Sequence, residues 1–338
     1  MKTFPLVLIL MIVFSACSPT AKLLKEHHYS LQIENAVARL NANPNDKKAR
    51  EMVQRAYSEA LVYFQSELNR IRTGNDSLKW SESLDIMQQT NDLSGKIREN
   101  PIASKVVSEL KFYTAEFQEV KQKAVDELFA AGQACMKPKT REKAREAYFL
   151  FKKVAMLAPG YNEITIHVNA AQAAATFNVV INPVQVEFNT LAVATKKIDK
   201  EFFYWTQRDV ASRPFIRFYT SVDAEKQHID PDFLVLIDVQ DYRVEKLAAQ
   251  TGSGTSNLMA IGNLYLKIYS SENQKVVFKK GISCRYDSQT KSTIRVNTID
   301  LQRVIDPDIQ TFFDYLLLSN FDRITEEIDT YFSTLVAQ

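Results

Sequence analysis

Apolar positions recur every three or four residues through the first half of the chain and every two through much of the second, so two architectures follow one another. Val53, Tyr57, Ala60, Phe64, Leu68 and Ile71 mark one face of a helix, and Thr73-Gly74-Asn75-Asp76 breaks it. Leu84, Met87, Leu93 and Ile97 outline a second helix that stops at Asn100-Pro101. Val106, Leu110, Tyr113, Phe117, Val120, Ala124 and Leu128 form a further long helical stripe. The period changes at about Thr176. Phe177, Val179 and Ile181 alternate, Val184, Val186 and Phe188 alternate on the other parity, and Pro183 between them predicts a bulge or an edge position. A mixed, helical stretch to about Val210 follows, and then a strand over 214–219. Phe233 to Val239 is almost continuously apolar, which suits a strand buried on both faces. Leu258 to Ile268 and Val276 to Tyr286 alternate as a hairpin around Ser270–Gln274, with Lys280 as the exception on the apolar face. Asp306-Pro307 reads as a helix start. Beyond it, Ile309, Phe313, Leu316, Leu317, Ile324, Ile328, Phe332 and Leu335 stripe one long helix or a broken pair that covers the sheet.

Within the helical half one pattern is more specific. Ala147, Phe151, Val154 and Pro159 stand at offsets 0, 4, 7 and 12, preceded by Leu128, Ala131, Gly132 and Cys135. This resembles a tetratricopeptide repeat, in which small residues let two antiparallel helices approach, an aromatic fills the gap and proline ends the second helix. The turn at Lys137–Thr140 is longer than in the standard unit, and Cys135 stands where tyrosine is usual. Pro44, Val53 and Tyr57 give a second, weaker match. The resemblance implies a protein-binding scaffold; a generic helical bundle is the alternative.

The order of elements in the second half, with Pro231-Asp232-Phe233-Leu234-Val235 leading into a buried strand and the hairpin Leu258 to Tyr286, resembles the domain shared by the curli-secretion lipoprotein and the penicillin-binding-protein-activating lipoproteins. The fold class expected is therefore multi-domain: an all-α, tetratricopeptide-like helical-repeat domain, then an α+β domain with a mixed sheet and a long C-terminal helix.

At the start of the chain, Lys2 precedes an apolar run from Phe4 to Phe14, and Ser15 and Ala16 lead into Cys17. A run of about 11 residues is too short to span roughly 30 Å of hydrocarbon as a helix, so it reads as a cleaved export signal. Phe14-Ser15-Ala16-Cys17 resembles the bacterial lipobox, with Phe14 in place of the usual leucine. That resemblance implies a lipidated Cys17, and Ser18 after it favours the outer membrane, with the protein facing the periplasm. The expected organisation is a signal peptide over 1–16, a lipidated tether over 17–30, a helical-repeat domain over 31–175 and an α+β domain over 176–338.

Charge and composition narrow the function. Without Lys2 the chain carries 41 basic and 40 acidic residues, so no strong field is available to bind nucleic acid. His27, His28, His167 and His228 lack ligand-spaced partners, and no metal or cofactor is expected. Cys135 and Cys284 read as two buried free thiols in different domains, with a disulfide in an oxidising compartment as the alternative. Gly252-Ser253-Gly254-Thr255-Ser256 lacks the lysine and the helix of a phosphate cradle and reads as a hairpin loop, with Gly252, Ser253 and Gly254 as candidate partner contacts. Trp205, in the aromatic run Phe202-Phe203-Tyr204-Trp205, is another candidate contact, with a core role the more ordinary one. Asp223, His228, Asp230 and Asp232 cluster in sequence, but no nucleophile elbow accompanies them. These features predict a non-catalytic interaction or assembly factor of the cell envelope, held to the membrane through Cys17 and bound to other envelope proteins. A subunit of an outer-membrane secretion complex or pore and an envelope enzyme stay open as alternatives.

Overall fold

A computed structural model describes residues 29–186, 195–208, 212–247, 257–287 and 309–337. The chain divides into two units: residues 1–139 with 146–171, and residues 140–145 with 172–338.

The first unit is helical. Helix α1 spans Tyr29–Ala42, α2 Lys47–Thr73, α3 Lys79–Glu99, α4 Ala103–Val106, α5 Ala115–Met136, α6 Arg141–Leu157 and α7 Ile164–Ala175. The first turn of α6 and the last turn of α7 count with the second unit. Helix α2 starts at Asp46, whose Oδ1 accepts the Ala49 amide at 3.0 Å, and closes with Gly74 donating back to the Arg70 carbonyl. Its stripe Val53, Tyr57, Ala60, Phe64, Leu68 and Ile71 is buried throughout. Helix α3 has no side-chain cap of its own. Glu127 of α5 supplies one, accepting the amides of Trp80 and Ser81 at 3.0 Å each. Burial pushes the Glu127 carboxyl above the usual carboxylate range, and those two amides pull it partway back.

The long stripe expected from Val106 to Leu128 is not one helix. It is broken between Val106 and Ala115, with α4 before the break and α5 after it. The reason lies in other helices. Lys111 donates its amide to Tyr57 Oη at 2.7 Å and Ser94 Oγ donates to its carbonyl at 2.6 Å. Asn91 brackets Tyr113, accepting its amide at 2.7 Å and donating to its carbonyl at 2.9 Å. Side chains of α2 and α3 thus take the backbone groups that a helix would have paired internally.

Among the described residues, the second unit is built on a six-stranded mixed sheet ordered β3-β1-β4-β5-β6, with β2 also pairing β4. Strands run β1 Phe177–Ile181, β2 Gln185–Val186, β3 Ile216–Thr220, β4 Phe233–Leu247, β5 Asn257–Ser270 and β6 Lys275–Asp287. Helix α8 (Thr195–Gln207) lies in the crossover between β1 and its parallel neighbour β3, and α9 (Ser221–Lys226) leads on toward β4; α10 (Ile309–Ser319) and α11 (Phe321–Ala337) close the unit. The C-terminal stripe is therefore a broken pair. Asp306-Pro307 lies outside the described residues.

Pro183 interrupts β1 and β2 as its missing N–H requires: Asn182 still donates to Val235 at 3.0 Å, but the Val184 amide turns to Asp199 of α8 at 3.2 Å. In β4, Phe233, Val235, Ile237 and Val239 enter the core with Ile198 and Phe202 of α8 and Phe313, Leu316 and Phe332 of the closing helices. The alternate residues Leu234, Leu236 and Asp238 are only half-buried. The strand expected to be buried on both faces is buried on one, and Asp238 on the other face pairs with Lys267 at 2.5 Å. A bulge at Asp241, where φ is 55°, is opposed by Gly262; a Cβ there would stand 3.0 Å from Leu316 Cδ2.

Candidate interaction surfaces

Cys17 and the loop residues Gly252, Ser253 and Gly254 lie outside the described residues. Trp205 is described, and the structure turns it inward. Ile198, Phe202 and Trp205 fall on the face of α8 that packs against the sheet, and Trp205 is 7% exposed. The Arg213 guanidinium lies 4.6 Å above its ring and pairs with Asp329 at 2.7 Å. The rings of that run that reach the surface are Phe203 and Tyr204, at 40% and 43% exposure.

In the helical unit, α5 and α6 meet through the residues of the sequence pattern. Leu128, Gly132, Ala147, Phe151 and Val154 are buried, and α6 ends two residues before Pro159. A Cβ built on Gly132 would lie 2.6 Å from the Phe151 ring, so this glycine is required by close approach of the two helices. His167 of α7 stands edge-on to Phe129 at 4.9 Å, a packing position.

The described residues form at least two hollows. One, of about 570 Å³, lies in the helical unit between Tyr29, Leu31, Phe64, Leu93 and Lys96. The ion pair of Lys96 with Glu34 stands beside it, and Leu31 at its rim is half-exposed. The other, of about 340 Å³, lies at the carboxyl ends of the parallel strands β1 and β3, where open α/β sheets present their crevices. Pro183, Phe203 and Val222 wall it, and Asp199, Asp223 and Lys226 give it polar edges. Its carboxylates have structural tasks: Asp199 takes the Val184 amide, and Asp223 accepts the Thr220 hydroxyl at 2.8 Å. Nothing in the local sequence distinguishes either hollow, because each draws on residues from separate elements.

The Asp223–Asp232 run does not converge. His228 and Asp230 are exposed on a turn in which His228 has φ 53°. Asp232 instead joins elements. Its carboxylate accepts the Asn178 amide at 2.8 Å and pairs with Arg141 at 2.5 Å, and its carbonyl accepts the Ser271 amide at 2.9 Å. Among the described residues, no group of three His, Cys, Asp or Glu side chains is placed to hold a metal, and no helix is long and apolar enough to cross a membrane.

Neither Cys135 nor Cys284 is in a disulfide. Burial pushes the Cys284 thiol up from 9.0 to about 12. The unfolded chain ionises this thiol first, so the stability linked to it is present below about pH 9 and lost between about pH 9 and about pH 12. In Cys17→Ala protein at about pH 8, a disulfide reagent is expected to titrate only Cys135 in the native state and both thiols in denaturant. Rapid labelling of Cys284 in the native state would contradict its burial.

On the sheet, Lys280 is explained. It sits on the helix-covered face of β6 and pairs with Glu327 of α11 at 3.2 Å. Strand β6 is the edge of the sheet, and among the described residues no strand pairs beyond it.

No protein-family model matches the chain, and no curated protein is similar to it in sequence. Among solved structures, the chain is similar to a neuraminyllactose-binding hemagglutinin homolog of Helicobacter pylori at 13% identity and a TM-score of 0.32, over 48% of this chain and 88% of that one. It is similar to the lipoprotein GNA1162 of Neisseria meningitidis at 13% identity and a TM-score of 0.24, over 33% and 84%. A minor lipoprotein of Acinetobacter baumannii follows at 10% identity and a TM-score of 0.23, over 46% and 92%. The last two are bacterial lipoproteins.

Proposed function

We propose that the chain is a bacterial lipoprotein anchored in the outer membrane through Cys17, facing the periplasm, and that it acts without catalysis as a protein-interaction or assembly factor of the cell envelope. The observation that carries this reading is Phe14-Ser15-Ala16-Cys17 after the apolar run Phe4 to Phe14. Several acyl chains on one cysteine give lasting attachment where a single chain would be marginal. The binding role is supported by the α5–α6 pair, which we read as a tetratricopeptide-like unit. Its small positions Gly132 and Ala147, its aromatic Phe151 and its terminating Pro159 occupy the places such a unit uses to hold two helices together.

In cells fed labelled palmitate, the wild-type chain is expected to take up label and to sediment with the outer membrane. Cys17→Ala is expected to abolish both. Wild-type protein without label, or a Cys17→Ala product that still fractionates with membranes, would overturn the anchor.

A further inference from the structure

The outer edge of β6 has the properties of a binding site for an extended chain. The strand spans Lys275–Asp287, far longer than β3 at the opposite edge, which covers Ile216–Thr220. An edge strand offers a row of backbone N–H and C=O groups to a further strand. A bulge in the pairing with β5, between Ile268 and Tyr269, places Val277 out of register near the hairpin turn, and both Val276 and Val277 are exposed there. Regular pairing with β5 runs from Phe278 onward.

From Phe278 to Arg285 the exposed charges on this edge are all cationic. On the open face of the sheet β6 presents Lys279, Gly281, Ser283 and Arg285, all exposed. Lys280, on the other face, is already paired with Glu327. The neighbouring strand β5 carries no acidic residue to balance them, and the nearby Asp238 of β4 is taken by Lys267. Lysine on an edge also opposes pairing with a like edge. Antiparallel self-pairing of two copies centred on Ile282 would set Lys279 of one against Arg285 of the other, which is unfavourable.

We infer that the β6 edge, from Phe278 to Arg285, binds an extended segment of a partner protein that carries acidic side chains toward Lys279 and Arg285. Main-chain bonds supply the affinity, and the two cations supply the choice of partner. The inference rests on the reading of the chain as a protein-binding factor, but it is independent of the anchor: failure of lipidation at Cys17 leaves it standing.

The test uses the full-length chain and two synthetic eight-residue peptides that alternate valine with glutamate or with lysine. By fluorescence anisotropy, the glutamate peptide is expected to bind at least about tenfold more tightly than the lysine peptide, since two cross-strand pairs change sign between them. Lys279→Glu with Arg285→Glu is expected to invert that order; both sites are exposed, and circular dichroism verifies the fold. On wild-type protein, N-methylation of the glutamate peptide at one alternate set of residues is expected to abolish binding, and at the other set to leave it intact. Equal binding of the two peptides, or indifference to both methylation patterns, would overturn the inference. So would a dimer of the full-length chain that Ser283→Pro converts to monomer, because the edge would then belong to a second copy.

Discussion

Phe151→Ala is expected to destabilise the helical unit by about 3–5 kcal/mol, the range for removing a buried aromatic side chain. Phe151 is 1% exposed, and its ring contacts Phe129 at 5.7 Å and His167 at 5.3 Å. The midpoint of urea unfolding, followed by the helical circular dichroism signal, measures the loss. Gly132→Ala provides a control from the opposite direction. Its added methyl meets the same ring, and overpacking of this kind costs about 1–3 kcal/mol. Phe151→Leu makes room for that methyl. The double variant Gly132→Ala with Phe151→Leu is therefore expected to lose less than the sum of the single losses. Additive losses would mean that the two positions do not meet.

Asp232→Ala is expected to cost about 2–3 kcal/mol in the α+β unit. The substitution leaves the Asn178 amide without its carboxylate acceptor at the start of β1, and it removes the partner of Arg141, whose guanidinium lies 4.6 Å above the Phe177 ring. The ion-pair share is the smaller one, because the Arg141 and Asp232 side chains are 41% and 24% exposed. Asp232→Asn keeps an acceptor for the Asn178 amide and is expected to recover the larger share of the loss. If the two variants unfold at the same denaturant concentration, the amide bond contributes little and the charge carries the effect.

Both predictions fall on residues that the sequence singles out, though for different reasons. The spacing of Gly132, Ala147, Phe151 and Val154 is a packing code, and packing is what those residues do. Asp232 stands out by resemblance and as a member of an acidic cluster; its carboxylate ties β1 and the first turn of α6 to the start of β4, a role that no periodicity shows. Alternation located β5 and β6 because one face of each meets the closing helices, whereas β4 was marked by a continuous apolar run. Lys280 broke that alternation, and its partner Glu327 lies on another element, out of reach of local reading. The second face of β4 was misread for a similar reason. Leu234 and Leu236 look like core residues in one dimension, but α8, α10 and α11 pack on the side of Phe233 and Val235. Trp205 and Phe203 are neighbours in one aromatic run, and only the phase of α8 separates an inward ring from an outward one. The two hollows were not legible at all, because each is assembled from side chains far apart in sequence.

The break between α4 and α5 bears on the order in which this unit acquires structure. The backbone of Lys111 and Tyr113 is satisfied by Tyr57, Asn91 and Ser94, partners up to 54 residues away. Those side chains converge only once α2 and α3 are paired, so the segment has no stable conformation of its own to nucleate. It is a latecomer that sets on a finished surface. Its amides exchange with solvent whenever α2 and α3 part, and they report on that opening rather than on the fraying of a local helix.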